Sequence, residues 1–233
     1  MKKTLWIAIA GALAASVIVA SAQTEVLSGN AVGYIKRTVP AAGKLAAVAH
    51  PLNSMTAGSL MFTNTSISTE MPNLSVAFFW DPVGQKWDGA QKSGKGVWGS
   101  VALAKQILPG EMFFLQSPPA QVSDVAVTIT GEVPDEPSLT RAVQGGGALA
   151  ALGNPYPVDV SFTNTTIAAN AANLSTAFFW DSAAQGWVGS QKSGKGVWGS
   201  VALAKTVQAG EGFFLQDAGA GSVWTNMKPY TWP

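Results

Sequence analysis

The chain has 233 residues, of which only 12% are charged and none is cysteine. Fourteen basic and thirteen acidic residues nearly cancel, which excludes electrostatic steering to nucleic acid or to an anionic membrane. Disulfide stapling and thiolate metal sites are excluded too, so each folded unit must rest on its apolar core.

In chain order, the first stretch reads as an export signal. Lys2 and Lys3 precede an apolar run over residues 5–20, and Ala20, Ser21 and Ala22 fit the small-x-small rule for cleavage after Ala22. The run is shorter than the ~20 residues a spanning helix needs, and no second long apolar segment follows, so no membrane span is expected in the mature chain. Residues 32–39 are strand-like and stop at Pro40, and residues 45–49 form a short apolar run stopped by His50 and Pro51. Residues 64–74 could hold one turn of helix, although their Ser/Thr content favours a loop. Residues 76–80 read as a strand ending at the Asp81–Pro82 turn signal. Residues 97–104, rich in small and branched side chains, also read as a strand, as do residues 112–116 after the Pro109–Gly110 turn. Residues 125–130 alternate, with Val125, Val127 and Ile129 on one face, which predicts an antiparallel sheet wetted on one side.

The series then starts again. Residues 91–105 recur letter for letter as residues 191–205, and matching segments flank them on both sides. Farther upstream the offset is 104, pairing Arg37 with Arg141 and Gly43 with Gly147. The reading is an all-β protein: two tandem homologous antiparallel β-sandwich or barrel-like domains after an N-terminal signal peptide. The boundaries fall at residues 1–22, 23–136 and 137–233, with the proline-bounded acidic stretch 133–137 as a short linker.

The signal-peptide stretch, the opening at residues 30–34, the strand over residues 45–53 with its Pro51-Leu52-Asn53, the 108–116 segment and residues 127–133 together resemble a group of exported two-repeat β-rich proteins. That group is common in verrucomicrobial and planctomycete-type bacteria and is largely without an assigned activity. The resemblance covers nearly the whole mature chain, and it implies a shared fold and export. Its motifs are strands and turns, so it brings no catalytic residues.

Motifs that usually carry chemistry fail on context. Gly94, Gly96 and Gly99 match G-x-G-x-x-G, and residues 89–95 nearly match a phosphate-binding loop, but no strand–helix unit surrounds them and Gly96 stands where a magnesium-binding Ser or Thr is needed. The Asn-x-Ser/Thr sites at Asn64, Asn73, Asn164 and Asn173 read as turn chemistry beside a bacterial-type leader. The only histidine, His50, is replaced by Asn154 in the second copy, and the shared carboxylates Asp81/Asp181 and Glu111/Glu211 sit beside turns. No catalytic, cofactor or metal set is therefore expected, and an enzyme ranks third among the readings.

The shared aromatics are the candidate binding residues. A four-residue loop over residues 82–85 would pair Asp81 with Lys86 and Trp80 with Trp87, and the second copy repeats the pair as Trp180 and Trp187. Such a pair is either core or a platform on which a sugar ring stacks. Trp98 and Trp198, beside the glycine-rich loop, complete the candidate set. The leading expectation is an exported non-enzymatic structural or adhesive protein, extracellular or on the cell surface with the periplasm as the alternative. It would associate into homo-oligomers or filaments through sheet edges such as residues 197–204. The second expectation is a carbohydrate-binding module that uses both tryptophan pairs bivalently on a polysaccharide. Recent duplication is the other source of an identical block.

Overall fold

The computed structural model describes residues 31–55 and 58–231. The signal-peptide expectation lies outside the described residues. The first repeat comprises β1 (Val32–Val39), β2 (Leu45–Ala49), α1 (Ser66–Glu70), β3 (Val76–Asp81), β4 (Lys86–Gln91), α2 (Ser100–Ala104), β5 (Met112–Gln116) and β6 (Val125–Glu132). The second comprises β7 (Ser138–Gln144), β8 (Leu149–Gly153), β9 (Val160–Ser161), α3 (Thr166–Asn170), β10 (Thr176–Asp181), β11 (Gly186–Gln191), α4 (Ser200–Ala204), β12 (Thr206–Val207), β13 (Gly212–Gln216) and β14 (Gly221–Met227). The protein is all-β, and its strand pairs are antiparallel.

Each repeat has a four-stranded sheet and a two-stranded ribbon. The sheets run β2-β5-β3-β4 and β8-β13-β10-β11, and the ribbons pair the first and last strands of each repeat, β1 with β6 and β7 with β14. The small β9–β12 ribbon corresponds to a single bridge, Met61 with Gln106, in the first repeat. In β6 the inward set is Val125, Val127 and Ile129, with the other face turned outward as the alternation predicts.

The four-stranded sheets depart from the one-sided expectation because both faces of their inner strands, β3 and β5 in the first repeat and β10 and β13 in the second, are covered. One phase of the strands, Val48, Phe79, Phe113 and Leu115, enters the repeat's own core. The other phase, Leu45, Phe78, Trp80 and Phe114, packs with its counterparts Leu149, Phe178, Trp180 and Phe214 in a third cluster between the repeats. Apolar runs without polar alternation, such as residues 76–80 and 112–115, are what two-sided burial requires. The layers therefore follow as ribbon and helices, sheet, sheet, ribbon and helices.

Three local expectations are corrected. Residues 97–104 do not form a strand: the Gly99 carbonyl accepts the Leu103 amide at 3.1 Å, and α2 turns Ala102 inward while Val101 and Leu103 face out. The proposed sheet edge at residues 197–204 likewise carries a helix, α4, and the edge strands of the four-stranded sheets are β2 and β4 in the first repeat and β8 and β11 in the second. Within residues 64–74 the loop reading gives way to α1, preceded by a 3-10 turn at Phe62–Asn64. The Thr65 hydroxyl caps α1 by accepting the Ser68 amide at 3.2 Å. Phe62 then sits edge-on to Phe79, Trp98 and Phe113 at 5.0, 5.0 and 5.8 Å, and Phe162 repeats this with Phe179, Trp198 and Phe213.

The two sheets fit by unequal residues at matched positions. A side chain at Gly212 would overlap the body of Met112, the residue that stands at the same place in the first repeat, and a Cβ at Gly153 would strike Ala49 in the same way. The first repeat carries the bulk and the second the hollow. Gly212→Ala should therefore overpack the junction and cost roughly 1–3 kcal/mol, read as a lower urea midpoint. Produced as separate chains, residues 23–136 and 137–233 should pair one-to-one in sedimentation in preference to either self-pair. A stable dimer of the first repeat alone would contradict this fit.

Candidate functional site

The β3–β4 hairpin supplies the candidate residues, and its register is the expected one, with Trp80 opposite Trp87 and Asp81 opposite Lys86. Asp81 holds the turn by accepting the Val83 amide at 3.0 Å, and the Gly84 and Val83 amides pull its pKa below the ordinary carboxylate value. Gln85 takes a left-handed backbone at φ 51°, which turns its side chain toward the second repeat. There its amide oxygen accepts the Leu149 N–H at 2.8 Å, and its amide nitrogen donates to the Leu149 carbonyl at 3.2 Å. Gln185 does the same to Leu45, at 2.7 and 3.0 Å. Each amide thus acts as a short extra strand on the other repeat's edge strand.

The tryptophans reinforce this exchange. Trp80 donates its indole N–H to the Leu149 carbonyl at 3.1 Å, and Trp180 donates to Leu45 at 3.2 Å. Trp80 packs edge-on against Phe214 at 4.9 Å, Trp180 against Phe114 at 4.8 Å, and Trp87 and Trp187 each touch both phenylalanines. At the far end of the sandwich the backbones also join, through Ala49 N–H to the Gly210 carbonyl and Gly153 N–H to the Gly110 carbonyl, both 2.9 Å.

The six candidate tryptophans fall into three classes of position. Trp98 and Trp198 lie inside the separate repeat cores, 5% and 6% exposed, with their indole N–H groups bound to the Ser68 and Ala168 carbonyls. The expectation that they line a ligand surface is corrected, since the aromatic core covers them. Trp80 and Trp180 are committed to joining the repeats. Trp87 and Trp187 remain half-buried at a cleft of about 290 Å³ that also takes in Trp80, Phe178, Phe214 and Gln216. The tryptophan pairs therefore form no separate platform in each repeat, because their rings meet across the junction.

The remaining motifs are structural. Lys92 and Trp98 bridge the base of a hairpin whose tip is the glycine-rich loop, closed by the Ser93 amide on the Val97 carbonyl at 2.7 Å. The Lys92 ammonium is buried and donates to the Ser68, Thr69 and Met71 carbonyls at the end of α1, and Lys192 makes the matching set in the second repeat. Desolvation draws the Lys92 pKa below the ordinary lysine value. Glu111 and Glu211 accept the Leu108 and Gln208 amides and pair with Lys105 and Lys205, which commits this shared carboxylate position in both repeats to structural contacts. Arg141, drawn down by desolvation, is partly supported by the charge of Glu111 across the junction, and Arg37 donates to Gln208 at 2.8 Å on the opposite side. Among the described residues no group of three or more His, Cys, Asp or Glu could hold a metal ion.

His50 is buried, with Nδ1 2.9 Å from the Leu52 carbonyl and Nε2 without a partner among the described residues. Asn154 in its place bonds the Val158 carbonyl and the Tyr156 amide. No protein-family model, curated protein or solved structure matches the chain.

Lys92→Met keeps the apolar stem but leaves three carbonyls without their cation, so it should cost roughly 1–3 kcal/mol in chemical denaturation. A variant as stable as the parent would remove the lysine from this role. His50 predicts a pH dependence. Desolvation lowers its folded pKa from 6.5 to about 4, so the unfolded chain binds a proton that the folded chain refuses. Stability from this group is complete above pH 6.5 and declines as pH falls toward 4, by up to roughly 3 kcal/mol. His50→Asn, the residue of the second repeat, should flatten that part of the melting-temperature profile. An unchanged profile would show that other groups set the acid limit.

Proposed function

We propose that the protein is an exported, non-enzymatic structural or adhesive component of the cell surface or extracellular matrix. It joins its own copies through two like surfaces, one on each repeat. The observation that carries this reading is where the repeats have stayed identical. At the hairpin tips over residues 82–88 and 182–188, only Gln85/Gln185 and Trp87/Trp187 agree, and these are the residues that reach across the junction. A few residues later every position from 91 to 105 agrees, although only Lys92, Trp98 and Ala102 of the stretch 91–104 are buried. The difference supports a role for the outer surface of the block.

That surface is apolar for a protein exterior. Leu74, Val97, Val101 and Leu103 and their counterparts Leu174, Val197, Val201 and Leu203 are between 38% and 60% exposed. Leu74 and Leu174 also adopt left-handed backbones, φ 69° and 71°, where an L-residue with a bulky side chain is disfavoured by roughly 1–2 kcal/mol. The turn there is held by the Leu74 amide on the Lys92 carbonyl and the Leu174 amide on that of Lys192, which calls for the conformation but not for a leucine, so an exposed leucine in both repeats supports a contact role. Two like surfaces on one chain allow open polymers when the contact rotation does not close a ring. The block leaves β4 and β11 at the strand ends remote from Trp87 and Trp187. This reading moves the association from the sheet edge expected at residues 197–204 to the loop and helix surface.

The test uses the chain from residue 23 onward in sedimentation and electron microscopy at micromolar concentration. Oligomers or filaments are expected, little affected by salt because so few charges are present. The double variant Leu74→Asn and Leu174→Asn should return the protein to monomer. Its melting temperature should hold or rise, since asparagine tolerates the left-handed region. A parent protein that is monomeric throughout would overturn the reading.

A further inference from the structure

We propose that the cleft where Trp87 and Trp187 emerge from the junction binds one neutral pyranose ring of a polysaccharide. The site is composite: Trp80 and Trp87 come from the first repeat, and Phe178, Trp187, Phe214 and Gln216 from the second. Neither repeat makes it alone.

The chemistry of the lining selects the ligand. No charged side chain lines the cleft, which disfavours anionic ligands. Its walls are aromatic rings in edge and tilted contacts, with Trp87 and Trp187 only half-buried, so ring surface remains available to the apolar C–H face of a sugar. Polar groups in the lining are few. The indole N–H groups of Trp87 and Trp187 take no part in the hydrogen bonds that join the repeats, unlike those of Trp80 and Trp180. Gln216 spends its amide nitrogen on the Gly147 carbonyl at 2.9 Å, which leaves its amide oxygen as an acceptor. An alkyl chain or a bare aromatic ring would cover these groups without pairing them, at a cost of about 1–3 kcal/mol for each group left unmade. A ring with apolar faces and a polar rim meets both demands. At about 290 Å³ and open to solvent, the cleft suits a single ring of a longer chain that continues past it. The bivalent arrangement expected from two tryptophan pairs is thereby replaced by one site per molecule.

This site is independent of the block surfaces on residues 91–105 and 191–205, so each proposal can fail alone. The probes are neutral oligosaccharides, namely cellohexaose, xylohexaose, mannohexaose and chitohexaose, titrated into the chain from residue 23 onward while the indole N–H resonances are followed by NMR. At least one probe should move the Trp87 and Trp187 resonances, and those of Trp98 and Trp198, sealed in the repeat cores, should stay fixed. Trp187→Phe preserves a ring in the cluster but removes one donor, and it should weaken binding about tenfold. Overturning results are silence of Trp87 and Trp187 at millimolar concentration of every probe, equal movement of Trp98 and Trp198, or unaltered affinity in Trp187→Phe.

Discussion

Burial of one four-stranded sheet against the other is the constraint from which the rest of this molecule follows. A two-sheet unit of about a hundred residues normally keeps the outer face of each sheet wet, and polar residues alternate along its strands to match. Here Phe78, Trp80 and Phe114 and their counterparts occupy those outward positions, so neither repeat can leave them in water. Once the faces meet, the first strands of the two sheets come within reach of the opposite hairpin. Gln85 and Gln185 then satisfy backbone groups at Leu149 and Leu45 that would otherwise form an open edge. The same approach aligns Trp80 and Trp180 to donate to those carbonyls.

Near-symmetry and exact symmetry have different consequences at such a junction. Hydrogen bonds are exchanged as equals, Trp80 for Trp180 and Gln85 for Gln185, whereas volume is not: Met112 faces the hollow of Gly212, and Ala49 that of Gly153. Close packing makes such volume matching sensitive to single methyl groups. It favours the partner within the chain over the same repeat of another molecule. Outside the junction the second repeat fills its own core differently, with Trp224 in the ribbon opposite Arg141 where the first repeat has Val127 opposite Arg37.

Much of the fold was legible from residues alone, and what was missed has physical causes. Turn chemistry at Asp81 and Pro82 fixed the hairpin register, because a four-residue loop leaves few ways to close, and it brought Trp80 opposite Trp87 as read. Strand ends at Pro40, at His50–Pro51 and after Pro109–Gly110 were visible for the same reason. The five-residue helix α2 was not, since one turn is too short to display a 3.6-residue period and Val101 and Leu103 are good strand formers. Two-sided burial was hidden because the covering layer lies about a hundred residues away in sequence, though unbroken runs such as residues 76–80 signalled it. The lysine that ends α1 was also missed: twenty-one to twenty-four residues separate Lys92 from the carbonyls it holds, and a buried lysine looks like any other in a sequence. At the candidate site the tryptophans stood out by composition, but whether a ring faces a core, a junction or a cleft depends on the second sheet.

The linker has a mechanical consequence. Ala31 accepts the Val133 amide at 2.7 Å, the Tyr230 hydroxyl donates to the Pro134 carbonyl at 2.7 Å, and the Lys228 amide donates to Pro137 at 2.9 Å. The first and last described strands thus leave the body beside the same short connector. Tension applied at Ala31 and Thr231 would reach the ribbons at their open ends, Val32 against Glu132 and Ser138 against Met227, and peel them one rung at a time. The aromatic junction draws none of its residues from these ribbon strands. A chain stretched in this way would lengthen by unzipping its outer ribbons while its two central sheets stay clasped, behaving as a yielding element with a rigid centre.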